Sequence, residues 1–120
     1  MNQILVTGAT GELGTTVIET LLKTMKPENI SVLTRTEERK TEFEQKRLNA
    51  FIGQYNDVKS LEKAMEFVDT VLLISSGDQG DRMQEHKNVI DTAKKKGVQN
   101  IAYWLFRSYD ATIFGQIAPL

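Results

Sequence analysis

Gly8, Gly11 and Gly14 recur at every third position in the run Thr7-Gly8-Ala9-Thr10-Gly11-Glu12-Leu13-Gly14. An apolar run precedes this G-x-x-G-x-x-G pattern and a helical repeat follows it, a combination suited to seating a diphosphate. The first glycine permits a tight turn off a strand. The second lets the backbone approach a pyrophosphate with no Cβ in the way, and the third lets the helix pack closely on the sheet. Unpaired N–H groups at the positive end of that helix would face the anion. Gly8, Ala9, Thr10, Gly11, Glu12, Leu13 and Gly14 form the candidate pyrophosphate site. A Walker loop is excluded, because no Gly-Lys-Ser/Thr follows.

A diphosphate seat at this place in an α/β unit indicates a nicotinamide dinucleotide, and the end of the second strand selects which one. An acidic residue there takes the ribose 2′-hydroxyl of NAD. Here the stretch is Leu33-Thr34-Arg35-Thr36, and the first carboxylate is Glu37. A guanidinium pairs with a 2′-phosphate through its planar fork, so Arg35 favours NADP(H) over NAD(H). Thr36 can add a hydroxyl to the same phosphate or cap the next helix. Gln54 and Tyr55 end the third strand, where adenine is expected. Ser75, Ser76 and Gly77 end the fourth, beside the ribose and nicotinamide.

Acid–base and metal chemistry are less visible. Tyr103 is followed at the fourth position by Arg107, not by the lysine that lowers a tyrosine pKa in Tyr-x-x-x-Lys reductases, and Tyr103 reads as a core residue. Tyr109 has no lysine at that spacing. His86 is the sole histidine and reads as a surface or packing residue on a helix. The catalytic residues stay unassigned, and no metal site is expected.

These residues must be positioned by alternating strands and helices. Strands are expected at Ile4–Val6, Ile30–Thr34, Leu48–Ile52, Thr70–Ile74 and Ile101–Trp104, each a short apolar run. Leu13, Val17, Leu21 and Met25, with Ile18 and Leu22 beside them, mark one face of a first helix stopped by Pro27 and Asn29. Thr36 is expected to cap a polar surface helix whose apolar face is chiefly Phe43. Asp57 is expected to cap a helix with Val58, Leu61, Ala64 and Met65. A last helix runs Met83–Lys96, with Val89, Ile90 and Ala93 inward and Gly97 as its stop. This pattern predicts an α/β, Rossmann-type parallel sheet of order 3-2-1-4-5 with helices on both faces, its ligand crevice between strands one and four.

At 120 residues the chain has room for one domain, taken as residues 1–120. Net charge is −1, with 15 basic and 16 acidic residues, so no positive field favours nucleic acid or an anionic membrane. The lysines at 94–96 close a helix, where they suit its negative end. No cysteine is present, which excludes disulfides, thiolate catalysis and thiolate metal sites. The start of the chain shows no leader or membrane span, so the expected location is the cytoplasm.

The run Ile4–Gly14 resembles the atypical short-chain dehydrogenase/reductase group. Val32-Leu33-Thr34-Arg35, Val71-Leu72-Leu73-Ile74-Ser75-Ser76, His86-Lys87-Asn88-Val89-Ile90-Asp91 and Lys96-Gly97-Val98 resemble NmrA-like proteins. Within these, the similarity is to bacterial NADPH:quinone oxidoreductases of the second type, over roughly residues 2–103. The resemblance implies that the 8–13 loop binds pyrophosphate, Arg35 the 2′-phosphate, and Ser75 and Ser76 the cofactor cleft. It also implies hydride transfer from NADPH to a quinone. Some relatives only sense the cofactor's redox state, so a non-catalytic NADP(H)-sensing regulator is the alternative, and an inactive fragment a third.

Two departures stand out. The family usually carries an acid where Gln54 stands, although Gln54 can still accept from the adenine amine. Family members are also much longer, with a second half that completes the sheet and builds the substrate pocket. The stretch after Tyr103 does not look like the family, and a truncated or frame-shifted product with an incomplete sheet is expected. Such a chain would leave its fifth strand as an open edge. Trp104, Leu105, Phe106, Ile113, Phe114 and Ile117 would lack cover, so self-association is expected.

Overall fold

The computed structural model of the chain describes residues 3–7, 12–75, 82–105 and 116–119. Strand β1 (Ile4–Thr7) leads to helix α1 (Glu12–Leu21), a 3-10 turn (Pro27–Asn29), β2 (Ile30–Thr34), α2 (Glu37–Gln45) and β3 (Asn49–Ile52). Then come α3 (Val58–Ala64), β4 (Thr70–Ser75), α4 (Arg82–Lys95), β5 (Asn100–Leu105) and β6 (Gln116–Pro119). The sheet order is β3-β2-β1-β4-β5-β6. The first five strands are parallel, with Ile4 level with Ile30 on one side and Thr70 on the other. The Rossmann-type order 3-2-1-4-5 is therefore observed, with strand boundaries within one residue of those expected, while α1 ends at Leu21, one turn before the expected Met25.

Alternation along the strands fills both faces. Leu5, Leu33, Val71, Leu73 and Ile101 point to the layer built by α3 and α4, where they meet Leu61, Met65, Val89 and Ala93. Val6, Val32, Leu72 and Ala102 point the other way, onto Val17 and Ile18 of α1 and Phe43 of α2. Adjacent residues thus serve opposite cores, as a parallel sheet covered on both faces requires. Fully burying one such side chain is worth about 1.5–3 kcal/mol.

Local signals set the helix ends. Thr36 Oγ1 accepts from Arg39 N at 3.2 Å, and Asp57 Oδ1 accepts from Ser60 N at 3.3 Å, so both expected caps form. Phe43 is the buried residue of the otherwise polar α2. Gly97 closes α4 at φ +76°, with Val98 N donating to Ala93 O at 2.9 Å. Arg47, directly after the C-cap of α2, and Phe67, two residues after the C-cap of α3, are also left-handed, at φ 70° and 63°, without being glycine.

The expected open edge at β5 is corrected. β6 pairs with it antiparallel, Asn100 level with Pro119 and Tyr103 with Gln116. The free N–H and C=O groups along β5 need partners, and a strand returning after only the ten residues 106–115 has too short a link for a parallel crossover. The edge passes to β6, where Pro119 lacks the N–H that an added strand would need. Phe106, Ile113 and Phe114 lie outside the described residues. Among the described residues no helix is long and apolar enough to cross a membrane.

Candidate cofactor site

All five parallel strands present their carboxyl ends on one side of the sheet. β1 sits between β2 and β4, so connections leave it toward opposite faces, and the crevice above this reversal is the natural ligand position. Thr7 ends β1 fully buried, its Oγ1 donating to Leu72 O at 3.3 Å. This bond ties the last turn of β1 to β4. Gly8, Ala9, Thr10 and Gly11 follow and lie outside the described residues, as does Ser76. The backbones of Glu12 and Leu13 form the first turn of α1, and Ser75 ends β4; their side chains lie outside the described residues. Gly14 is buried within α1, consistent with close helix–sheet packing.

At the end of β2, Thr34 is 1% exposed and its hydroxyl donates toward Thr36 O at 3.3 Å or Phe51 O at 3.4 Å. Arg35 follows directly and is exposed. Among the described residues no ion pair engages Arg35, whereas Arg39 is held by Glu42 at 3.1 Å. The Thr36 hydroxyl uses one lone pair on the Arg39 amide, so its own proton remains available to a ligand oxygen. The capping and phosphate-binding readings of Thr36 are therefore compatible. Glu37 and Glu38 occupy the first turn of α2, where they complement its positive end.

The segment after β3 is closely tied. Gly53 N donates to Thr34 O at 2.8 Å, joining it to the residue before Arg35. Gln54 is exposed; its N–H donates to Ser60 Oγ at 3.2 Å, and its carbonyl accepts from Asp57 N at 3.1 Å. Asn88 of α4 donates from Nδ2 to Tyr55 O at 2.9 Å. These ties bring the ends of β2 and β3 and the middle of α4 into one frame. Sequence reasoning missed the roles of Asn88 and Ser60. The available signal was a polar residue beside the inward positions Val89 and Thr92.

A Tyr-x-x-x-Lys spacing also occurs at Tyr55 and Lys59, unnoticed in the sequence reading. Tyr55 is half-buried against the α3–α4 core, before the Asp57 cap, while Lys59 is exposed inside α3. They do not share a helical face, so the pair does not form the reductase dyad. His86 is in α4 with its side chain outside the described residues. Among the described residues no cluster of His, Cys, Asp and Glu could hold a metal ion. An open groove of about 540 Å³ lies between Glu66–Asp69 and Lys96–Gly97. It sits at the amino ends of the strands, opposite the crevice, so we assign it no part in cofactor binding.

A parallel sheet with this strand reversal, its first strand followed by the glycine-spaced run 8–14, defines a Rossmann-type dinucleotide-binding domain. The NAD(P)H-binding family model matches residues 8–110, and the chain belongs to that family. The chain is 37% identical over 112 residues to quinone oxidoreductase 2 of Escherichia coli, covering 93% of this chain and 39% of that protein. An NmrA-like family domain-containing oxidoreductase of Aspergillus flavus is 27% identical over 103 residues, covering 82% of this chain and 34% of the relative. The NADPH-dependent quinone oxidoreductase of E. coli, solved with NADPH, superposes with a TM-score of 0.79 at 39% identity, covering 84% of this chain and 36% of that one. Citrobacter sp. triphenylmethane reductase, solved with NADP(H), gives 0.76 at 36% identity over 84% of this chain and 36% of its own. The chain thus spans 34–39% of the length of these relatives.

Proposed function

We propose that this chain binds NADPH in preference to NADH and serves as the cofactor half of an oxidoreductase that reduces a quinone-like acceptor. Residues 8–14 hold the pyrophosphate, Arg35 and the Thr36 hydroxyl hold the 2′-phosphate, Gln54 accepts from the adenine amine, and Ser75 and Ser76 line the ribose side. The observation that carries this reading is Arg35 itself. It is exposed, free of ion pairs among the described residues, and follows β2, the strand next to β1. NADPH bound there supplies the hydride. The chain's own residues bind and orient the cofactor, and the frame from Thr34 to Asn88 holds the adenine end still.

The acceptor reading draws on the relatives named as quinone oxidoreductases, and the 2′-phosphate reading on neighbours solved with NADPH. Titrating the purified chain with both reduced coenzymes, by nicotinamide fluorescence, tests the cofactor. NADPH should bind at least about ten-fold more tightly, the worth of one charged hydrogen-bonded pair. Equal affinities, or no binding, would overturn the preference. Adding a quinone to the NADPH complex and following loss of the reduced nicotinamide absorbance tests the reaction. Binding without oxidation would replace the enzyme reading with that of an NADP(H) sensor.

A further inference from the structure

Asn88 belongs to the His86–Asp91 stretch, and pyrophosphate and phosphate binding leave that stretch without a task. Its Nδ2 donates to the Tyr55 carbonyl across 33 residues of chain, at 2.9 Å. The contact lies at the rim of the α3–α4 core, where Asn88 is half-buried and Val89 is fully buried. Thr92 Oγ1 donates to Asn88 O at 2.7 Å one turn later, fastening the same part of the helix. On the other side of Gln54, the Ser60 hydroxyl meets the Gln54 N–H at 3.2 Å, and Gly53 N is held by Thr34 O at 2.8 Å. Gln54, the exposed member of this turn, is therefore gripped at the residue before it, at its own amide and at the residue after it.

We infer that Asn88 is a positioning residue for adenine: through the Tyr55 carbonyl it fixes the 54–55 turn as one wall of the base pocket, so that the pocket is selective for the amine edge of the purine. The inference rests on the cofactor reading above, and on Gln54 as the adenine contact within it. A free turn would still present Gln54, but its amide would have to be ordered on binding, and a bulkier base edge would be admitted.

The test compares NADP+ with its fluorescent 1,N6-etheno analogue, whose extra ring blocks the amine edge. The wild-type chain should bind NADP+ about ten-fold more tightly than the analogue. Asn88→Asp keeps the shape but replaces the donor with an oxygen that repels the Tyr55 carbonyl. This variant should weaken NADP+ binding by about three- to ten-fold and shrink the preference to less than about three-fold. A change confined to helix stability would weaken both ligands alike and keep the ratio, which would overturn the role of Asn88. A wild-type chain with no preference would instead sink the Gln54–adenine contact, and the inference with it. If Asn88→Asp fails to fold, Asn88→Ala, which removes the donor without adding charge, gives the same two readings.

Discussion

The hydroxyl of Ser60 occupies the space that a side chain on Gly53 would need: a Cβ there would overlap Ser60 Oγ and lie 2.9 Å from Leu33 Cδ1. The glycine at the end of β3 is thus demanded by close packing, since its φ is not in the left-handed range. Leu33 and Ser60 come from β2 and from α3, so the glycine is where the 53–55 turn is pinned to both.

Gly53→Ala should therefore destabilise the chain by about 1–3 kcal/mol through overpacking. It should also weaken NADPH binding, because the displaced Ser60 is the partner of the Gln54 amide. Urea unfolding gives the first quantity and fluorescence titration the second. Unchanged stability would show that the turn can shift freely.

Arg35→Asp replaces the exposed cation after β2 with an anion, which under the proposed cofactor reading would face the 2′-phosphate. NADPH affinity should fall by roughly 10- to 100-fold, while NADH affinity changes by less than about three-fold. The contrast between the coenzymes is the readout, and parallel losses would indicate damage to the turn instead.

Phe67 stands in a left-handed conformation at φ 63° while 90% exposed, so its ring gains little from burial to offset the steric cost. Phe67→Gly should stabilise the chain by about 0.5–1 kcal/mol. Gly97→Ala should do the reverse by about 1 kcal/mol. Open space surrounds that position, so the penalty there is one of backbone conformation alone. Thermal or urea unfolding of the two variants checks the pair.

Lys95 of α4 donates to Glu62 of α3, and this hydrogen bond holds the Glu62 carboxyl below its ordinary pKa of 4.5. A carboxylate whose pKa is lower in the folded than in the unfolded chain adds stability above the unfolded value. It loses that contribution as pH falls through the folded one. Part of the acid sensitivity of the chain below about pH 4.5 should thus belong to Glu62. Glu62→Gln should lower stability slightly at pH 7 and flatten the decline at acid pH. The lysine is 69% exposed, so the effect should be small and should shrink with added salt.

Much of the fold was legible in the sequence, because the signals are local. The runs Ile30–Thr34 and Thr70–Ser75 are apolar on both faces and so declare a doubly covered sheet. Thr36 and Asp57 announce helix starts through hydroxyl and carboxylate caps, and Phe43 marks the one inward side of α2. β6 was not legible. Gln116–Pro119 is short and carries no period of its own, and it becomes a strand because β5 offers it an unpaired edge. Arg47 and Phe67 gave no glycine to reveal their left-handed turns.

The sequence by itself determined the order of the five parallel strands and their helices, the glycine spacing after β1 and the cation after β2, since each depends on neighbours a few residues away. Tertiary structure decided what surrounds Gln54. Thr34, Ser60 and Asn88 bond Gly53, Gln54 and Tyr55 in turn from three elements, and these donors and acceptors meet only once the sheet has brought β2, α3 and α4 together. Hydrogen bonds act over about 3 Å, so no pattern along the chain can specify a contact between residues 33 positions apart before the core has closed.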